Sequence, residues 1–210
     1  MKVKNFFYPS NMVLFFVCLI IGFSTFLSEH GLKRIETWGS IITSTPKNKD
    51  KIDSINRDEE LTKLKKRVVS KWLSKKYRVA ETAVDKIVEI SHLAAKKYEL
   101  DPNLILAIIA IESSFNPFAE SGAGAQGLMQ IMPKYHQEKL QKFNEKNPAL
   151  SYEINIMVGA QILKEYLDAH SSLNTALLRY VGVGANGKSS YPQKVFTMRS
   201  RISSITKNIN

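Results

Sequence analysis

Hydrophobic residues recur with a helical period along most of this chain. Leu61, Leu64, Val68, Val69, Trp72 and Leu73 form one stripe, the three-and-four spacing of an amphipathic helix over 61–76. Lys63, Lys65, Lys66, Arg67, Lys71, Lys75 and Lys76 crowd the rest of it, so it either packs on the domain with a solvated basic face or lies on a membrane surface. Ala83, Val84, Ile87, Val88, Ile90, Leu93 and Ala94 predict a second helix, from Val79 to near Tyr98. Asp101-Pro102 then restarts the chain as an N-cap with proline in the first turn. From Asn103 to about Ser113 the residues are apolar nearly all round, which marks the central helix of a domain. Ile156, Ala160, Leu163 and Leu167 predict a helix over Asn155–His170. A shorter helix spans Leu173–Val181, and a last one opens at Pro192 and runs through Val195, Phe196 and Ile202. No alternating strand pattern of useful length and no internal repeat is visible, so the fold is all-α or nearly so.

Upstream of Leu61 the pattern changes. Residues 33–60 are polar, with Lys47, Lys49, Asp50 and Lys51 followed by Asn56-Arg-Asp-Glu-Glu60, and read as a flexible spacer. Before it, Lys2 and Lys4 precede an uncharged stretch from Met12 to Leu27, intermediate between a signal-peptide core and a full membrane span. No Ala-x-Ala site follows, so residues 1–32 read as an uncleaved anchor, a cleaved signal being the alternative. The basic amino end would stay cytoplasmic and the rest would lie outside. The expected organisation is therefore an anchor or signal over 1–32, a spacer over 33–60 and a folded domain over 61–210.

Charge and reactive side chains narrow the function classes. The 210 residues carry 30 Lys and Arg against 19 Asp and Glu, a net charge of +11, which favours anionic partners. The single cysteine, Cys18, excludes an intrachain disulfide. His30, His92, His136 and His170 are scattered without metal-ligand spacing, so neither a metal nor another cofactor is expected.

Glu112 is the position that calls for chemistry. A carboxylate at the carboxyl end of the most apolar helix meets burial and the negative end of the helix dipole, and both raise its pKa. A carboxylic acid kept protonated near neutral pH suits cleavage of a glycosidic bond, whose leaving oxygen must receive a proton. Gly122, Gly124 and Gly127 follow in a loop where backbone is free to approach a ligand or take positive φ.

Glu112-Ser-Ser-Phe-Asn-Pro117 and Ser121-Gly-Ala-Gly-Ala-Gln-Gly-Leu-Met-Gln-Ile-Met-Pro133 resemble the signature of the lytic transglycosylases of SLT type. Asp101-Pro-Asn-Leu-Ile-Leu-Ala107, Asn155-Ile-Met-Val-Gly159 and Ala176-Leu-Leu-Arg-Tyr180 resemble further motifs of that family in the expected order. The likeness spans about Val79 to Arg201. It implies an all-α domain of lysozyme-like (goose-type lysozyme/lytic transglycosylase) fold behind the membrane segment. Glu112 matches the family's acid/base. Ser121 and Gln130 match polar groups bordering the site, and Gly127 the loop glycine whose backbone meets the glycan. Met129 and Met132 match methionines lining the cleft, with core packing as the alternative, and Tyr180 the tyrosine facing the glutamate. Tyr191 either stands at the groove edge or only begins a helix; His136 either leans into the site or lies on a helix surface. The chain departs from the family's Tyr-Asn-Ala-Gly at Tyr180-Val-Gly-Val-Gly184, where Val181 replaces asparagine.

The implied substrate is the peptidoglycan glycan strand, cut between N-acetylmuramic acid and N-acetylglucosamine on the periplasmic side of the inner membrane, or in the periplasm if the amino-terminal segment is removed. Most glycosidases use two carboxylates; with no obvious second one, the expectation is a single-carboxylate route to a 1,6-anhydro end without water. The rivals are a muramidase using Glu120 and a non-catalytic wall-binding module. Nucleic acid is not an expected partner; secretion or wall-remodelling machinery is a candidate one.

Overall fold

A computed structural model of the chain describes residues 46–184 and 187–209. The expected anchor over 1–32, Cys18 and the spacer up to residue 45 lie outside the described residues. By its contacts the chain divides into a unit ending at Arg57 and a larger unit, Asp58–Asn210.

The first described helix, α1, runs Pro46–Tyr77. Residues from Pro46 to Glu60, read above as spacer, are therefore helical, and residues 52–60 are exposed on every side. Polarity there rules out burial but not helix, because Lys, Arg and Glu are good helix formers and Pro46 suits a first turn. No described helix is long and apolar enough to cross a membrane. Beyond Lys66 the helix becomes one-sided: Val69 and Leu73 sink into the core at 5% and 0% exposure, so α1 packs on its domain.

Among the described residues six further helices follow: α2 (Glu81–Tyr98), α3 (Pro102–Glu112), the single-turn α4 (Gln137–Leu140), α5 (Tyr152–His170), α6 (Leu173–Tyr180) and α7 (Tyr191–Ile205). Short 3-10 turns flank α4 at Pro133–Tyr135 and Pro148–Leu150. Among the described residues the only extended pairing is two isolated bridges, Glu120 with Gln126 and Gln126 with Ile131, so the architecture is all-helical as expected.

The apolar segment becomes the central helix, with every residue from Leu104 to Ala110 buried. Such a helix has no polar face to turn outward, so neighbours surround it: Val84, Ile87 and Val88 of α2, Ile156, Ala160 and Leu163 of α5, and Val195 and Ile202 of α7 share its core. Asp101 sets its start. One carboxylate oxygen accepts from the Asn103 amide at 2.8 Å, and the other accepts from Arg199 Nε of α7 at 2.5 Å. A smaller cluster, Ile131, Leu140, Ala149, Ile154, Val158 and Ile162, fixes the glycine-rich loop to α5.

Candidate active site

The end of α3 is where the fold spends conformational strain. Immediately after Glu112 and Ser113, both Ser114 (φ 52°) and Phe115 (φ 66°) adopt the left-handed region, at about 1–2 kcal/mol each for residues bearing a Cβ. Burial of the Phe115 ring offsets it: the side chain is fully buried, 5.1 Å centroid to centroid from Tyr77. Strain over-determined in this way is common at functional sites. Here it stops the helix abruptly, so that Glu112 is its final residue.

Glu112 is half-buried, and burial raises its carboxyl above the usual carboxylate range, while a hydrogen bond from Tyr191 pulls the other way. The Tyr191 hydroxyl donates to Glu112 Oε1 at 2.6 Å. Burial and the nearby carboxylate raise the Tyr191 pKa far above its ordinary value, so this hydroxyl keeps its proton and acts as the donor. Oε1 is consequently an acceptor, and a proton on Glu112 resides on Oε2. Tyr191, read in the sequence as either groove edge or helix start, opens α7, and its hydroxyl touches the carboxylate.

Tyr180 also lies close enough for Glu112 to raise its pKa, second to burial. Its hydroxyl, however, donates to the Met129 carbonyl at 2.8 Å. The two tyrosines thus divide the work: Tyr191 holds the carboxylate, and Tyr180 holds the loop.

That loop is supported from below by Asn155, which the motif spacing marked but no site role was expected of. Asn155 is 1% exposed. Its Oδ1 accepts from the Met129 amide at 2.7 Å, and Nδ2 donates to the carbonyls of Gln126 (2.9 Å) and Ala149 (2.6 Å). Every hydrogen-bonding capacity of the amide is filled except one lone pair. Gly127 and Gly159 permit this approach. Gly127 has φ +77°, and a Cβ on it would fall 2.3 Å from Ala149 O and Asn155 Nδ2; a Cβ on Gly159 would fall 2.6 Å from Met129 Sδ. The Asn-x-x-x-Gly spacing is thereby explained: one helical turn presents an amide and a gap to the same loop.

The remaining expected residues mostly build the loop. Ser121 Oγ accepts from the Ala125 amide at 3.0 Å and so caps the loop turn. Gln130, at φ +48°, donates through Nε2 to Ala119 O and Gly127 O, both at 3.0 Å. Gly127 donates its amide to Ala119 O at 2.9 Å, so its backbone is engaged inward. Met129 is fully buried in the core, whereas Met132 is half-buried. Ser113 ties the helix end to the loop, its hydroxyl donating to Leu128 O at 2.8 Å. Burial lowers the pKa of the half-buried His136, with Lys139 the next cause; it has no bond to Glu112. Val181 caps α6 beside the core. Glu120 is exposed and accepts from Gln126 Nε2 at 3.2 Å. Among the described residues no group of three or more His, Cys, Asp or Glu is arranged to hold a metal.

The transglycosylase SLT domain model matches residues 89–194 of this chain, a stretch that takes in Glu112, the loop, Asn155 and both tyrosines. The chain belongs to the transglycosylase SLT domain family. Over 108 residues it is 44% identical to the transglycosylase of Enterobacteria phage PRD1, covering 49% of this chain and 38% of that relative. Over 40 residues it is 55% identical to membrane-bound lytic murein transglycosylase C of Actinobacillus pleuropneumoniae, covering 19% of this chain and 11% of the relative. This SLT chain therefore spans well under half the length of these relatives. Among solved structures, an inactive mutant of the lytic transglycosylase Slt of Pseudomonas aeruginosa aligns at 23% identity and TM-score 0.43, over 58% of this chain and 22% of that one.

Proposed function

We propose that this SLT domain protein cleaves peptidoglycan glycan strands between N-acetylmuramic acid and N-acetylglucosamine, leaving 1,6-anhydro ends. The observation that carries the reading is the pairing of Tyr191 with a Glu112 whose carboxyl burial holds above its usual range. An acid of this kind donates a proton at near-neutral pH and then accepts one, both through the oxygen that Tyr191 leaves free.

The proposed first step moves the Oε2 proton to the bridging oxygen as the bond from C1 of the muramic residue breaks. The N-acetyl carbonyl oxygen of that residue bonds to C1, and the N-acetylglucosamine side departs as an alcohol. In the second step the C6 hydroxyl attacks C1 from its own ring and displaces the acetyl oxygen. The Glu112 carboxylate takes the hydroxyl proton and is restored to the acid. No water enters and no second carboxylate is needed, which agrees with an exposed Glu120 occupied by Gln126. The membrane-bound relatives and the apolar stretch Met12–Leu27 support a location at the cell envelope, anchored in the inner membrane with the domain on the periplasmic side.

The deciding experiment incubates the full chain with purified peptidoglycan and weighs the fragments. Muramic ends one water lighter than reducing ends are expected, and none from the Glu112→Gln protein. Reducing ends would make the protein a muramidase, and binding without fragments would make it a wall-binding module.

A further inference from the structure

From Leu61 to Tyr77, α1 contains seven Lys or Arg residues (Lys63, Lys65, Lys66, Arg67, Lys71, Lys75, Lys76) and no Asp or Glu. They are not equivalent. Lys66 reaches inward to Glu89 of α2 at 2.8 Å, and Lys76 lies over the Trp72 ring at 5.5 Å. Lys63, Arg67, Lys71 and Lys75 instead recur every four residues, and all four are exposed. This spacing stacks them along one outer stripe, opposite the buried Val69 and Leu73. Like charges four apart on a helix repel one another, so the stripe weakens the helix it stands on unless an anion neutralises it.

The same outer face carries Leu64, 49% exposed, within about 20° of Lys71 around the helix axis, and the half-exposed Val68. Cations alone suit any polyanion. An exposed leucine amid long cationic side chains suits the boundary between lipid headgroups and acyl chains, where the apolar residue enters and the ammonium heads rise to the phosphates. A nucleic acid or wall polymer would engage the cations and leave Leu64 unused.

We infer that the outer face of α1, centred on Leu64 and Lys71, is a docking surface for an anionic phospholipid bilayer and lays the folded unit against it. The surface is separate from Glu112 and does not depend on the proposed reaction.

The test is lysine-acylation footprinting of the full chain, read by mass spectrometry. Vesicles of phosphatidylglycerol and phosphatidylethanolamine are compared with vesicles of phosphatidylcholine. Because the readout is local to α1, insertion of residues 12–27 does not confound it. With anionic vesicles, Lys63, Lys71 and Lys75 should be acylated at about one-fifth of their free rate or slower, while the exposed Lys96 and Lys97 of α2 keep their rates. The protection should disappear at high salt, and the variant Lys63→Gln/Arg67→Gln/Lys71→Gln should lose it at Lys75 with its circular dichroism unchanged. Equal protection by both vesicle types, protection by neither, or stronger protection by duplex DNA or isolated wall polymer would each overturn the inference.

Discussion

The Tyr191 hydroxyl joins the first turn of α7 to the last turn of α3 by donating to Glu112 Oε1 at 2.6 Å. The two residues are 79 apart in the sequence, and the pairing fixes both the direction of the carboxylate and which of its oxygens is free. It also sets two effects against each other, since burial raises the Glu112 pKa and the hydroxyl restrains the rise.

Replacing Tyr191 with Phe keeps the ring in the core and removes only that restraint. The carboxylate loses its donor, so the Glu112 pKa should rise further. Since the first step requires the protonated acid, the alkaline limb of the kcat/KM profile should move to higher pH. Loss of orientation should lower kcat by roughly tenfold, the equivalent of one hydrogen bond. A lower rate with an unmoved alkaline limb would show that Tyr191 only packs.

Glu112→Gln should reduce cleavage by at least about a hundredfold, the lower range for acid–base help, while changing stability in a direction set by pH. Burial makes the folded-state pKa higher than the unfolded one, so the native state binds the extra proton and loses stability as pH rises between the two values. The amide has no such liability. Thermal melting should therefore favour Glu112→Gln at neutral pH, with the advantage shrinking as pH falls from the raised folded-state pKa and gone below the unfolded value of about 4.3. An advantage independent of pH would mean that Glu112 is not desolvated.

The helices and the position of Glu112 were legible because burial of a helix leaves a period, and an apolar run such as Leu104–Ile111 needs no partner to be recognised. The partner of Glu112 was not legible in the same way. Tyr180 and Tyr191 are both tyrosines at helix ends, and which hydroxyl reaches the carboxylate depends on how α6 and α7 cross α3. The same holds for Asn155, a polar residue in an apolar helix whose three bonds go to Met129, Gln126 and Ala149. Helical residues 46–60 escaped for a third reason. Their polarity speaks only about burial, and an exposed helix leaves no apolar stripe.

The loop glycines should separate cleanly on substitution. Gly127→Ala forces a Cβ into a left-handed residue 2.3 Å from the Ala149 carbonyl, combining about 1–2 kcal/mol of backbone strain with overpacking of about 1–3 kcal/mol. Gly122 has nothing within 4 Å of a Cβ and no positive φ, so Gly122→Ala should be within about 0.5 kcal/mol of the parent. Urea unfolding measures both. Similar losses at the two positions would mean that the loop is not seated on Asn155.

Asn155→Asp tests the loop support with the fewest atoms changed. The introduced carboxylate still accepts from the Met129 amide, but when ionised it opposes the carbonyls of Gln126 and Ala149 with oxygen where Nδ2 donated. Burial and the two carbonyls raise its folded pKa above the unfolded value of about 3.9. The native state therefore holds a proton that the unfolded chain releases, and stability is retained below the unfolded pKa and lost as pH rises through the folded one. In acid the protonated side chain still donates to one carbonyl, and the deficit should be about 1–2 kcal/mol, one buried hydrogen bond. At pH 7.5 it should reach about 3 kcal/mol or more, the effect of a buried charge without a partner. Asn155→Leu, which ionises nowhere, should show the same deficit at both pH values. If Asn155→Asp behaved like Asn155→Leu, the amide would not be the strut between α5 and the loop, and the position of the loop beside Glu112 would need another cause.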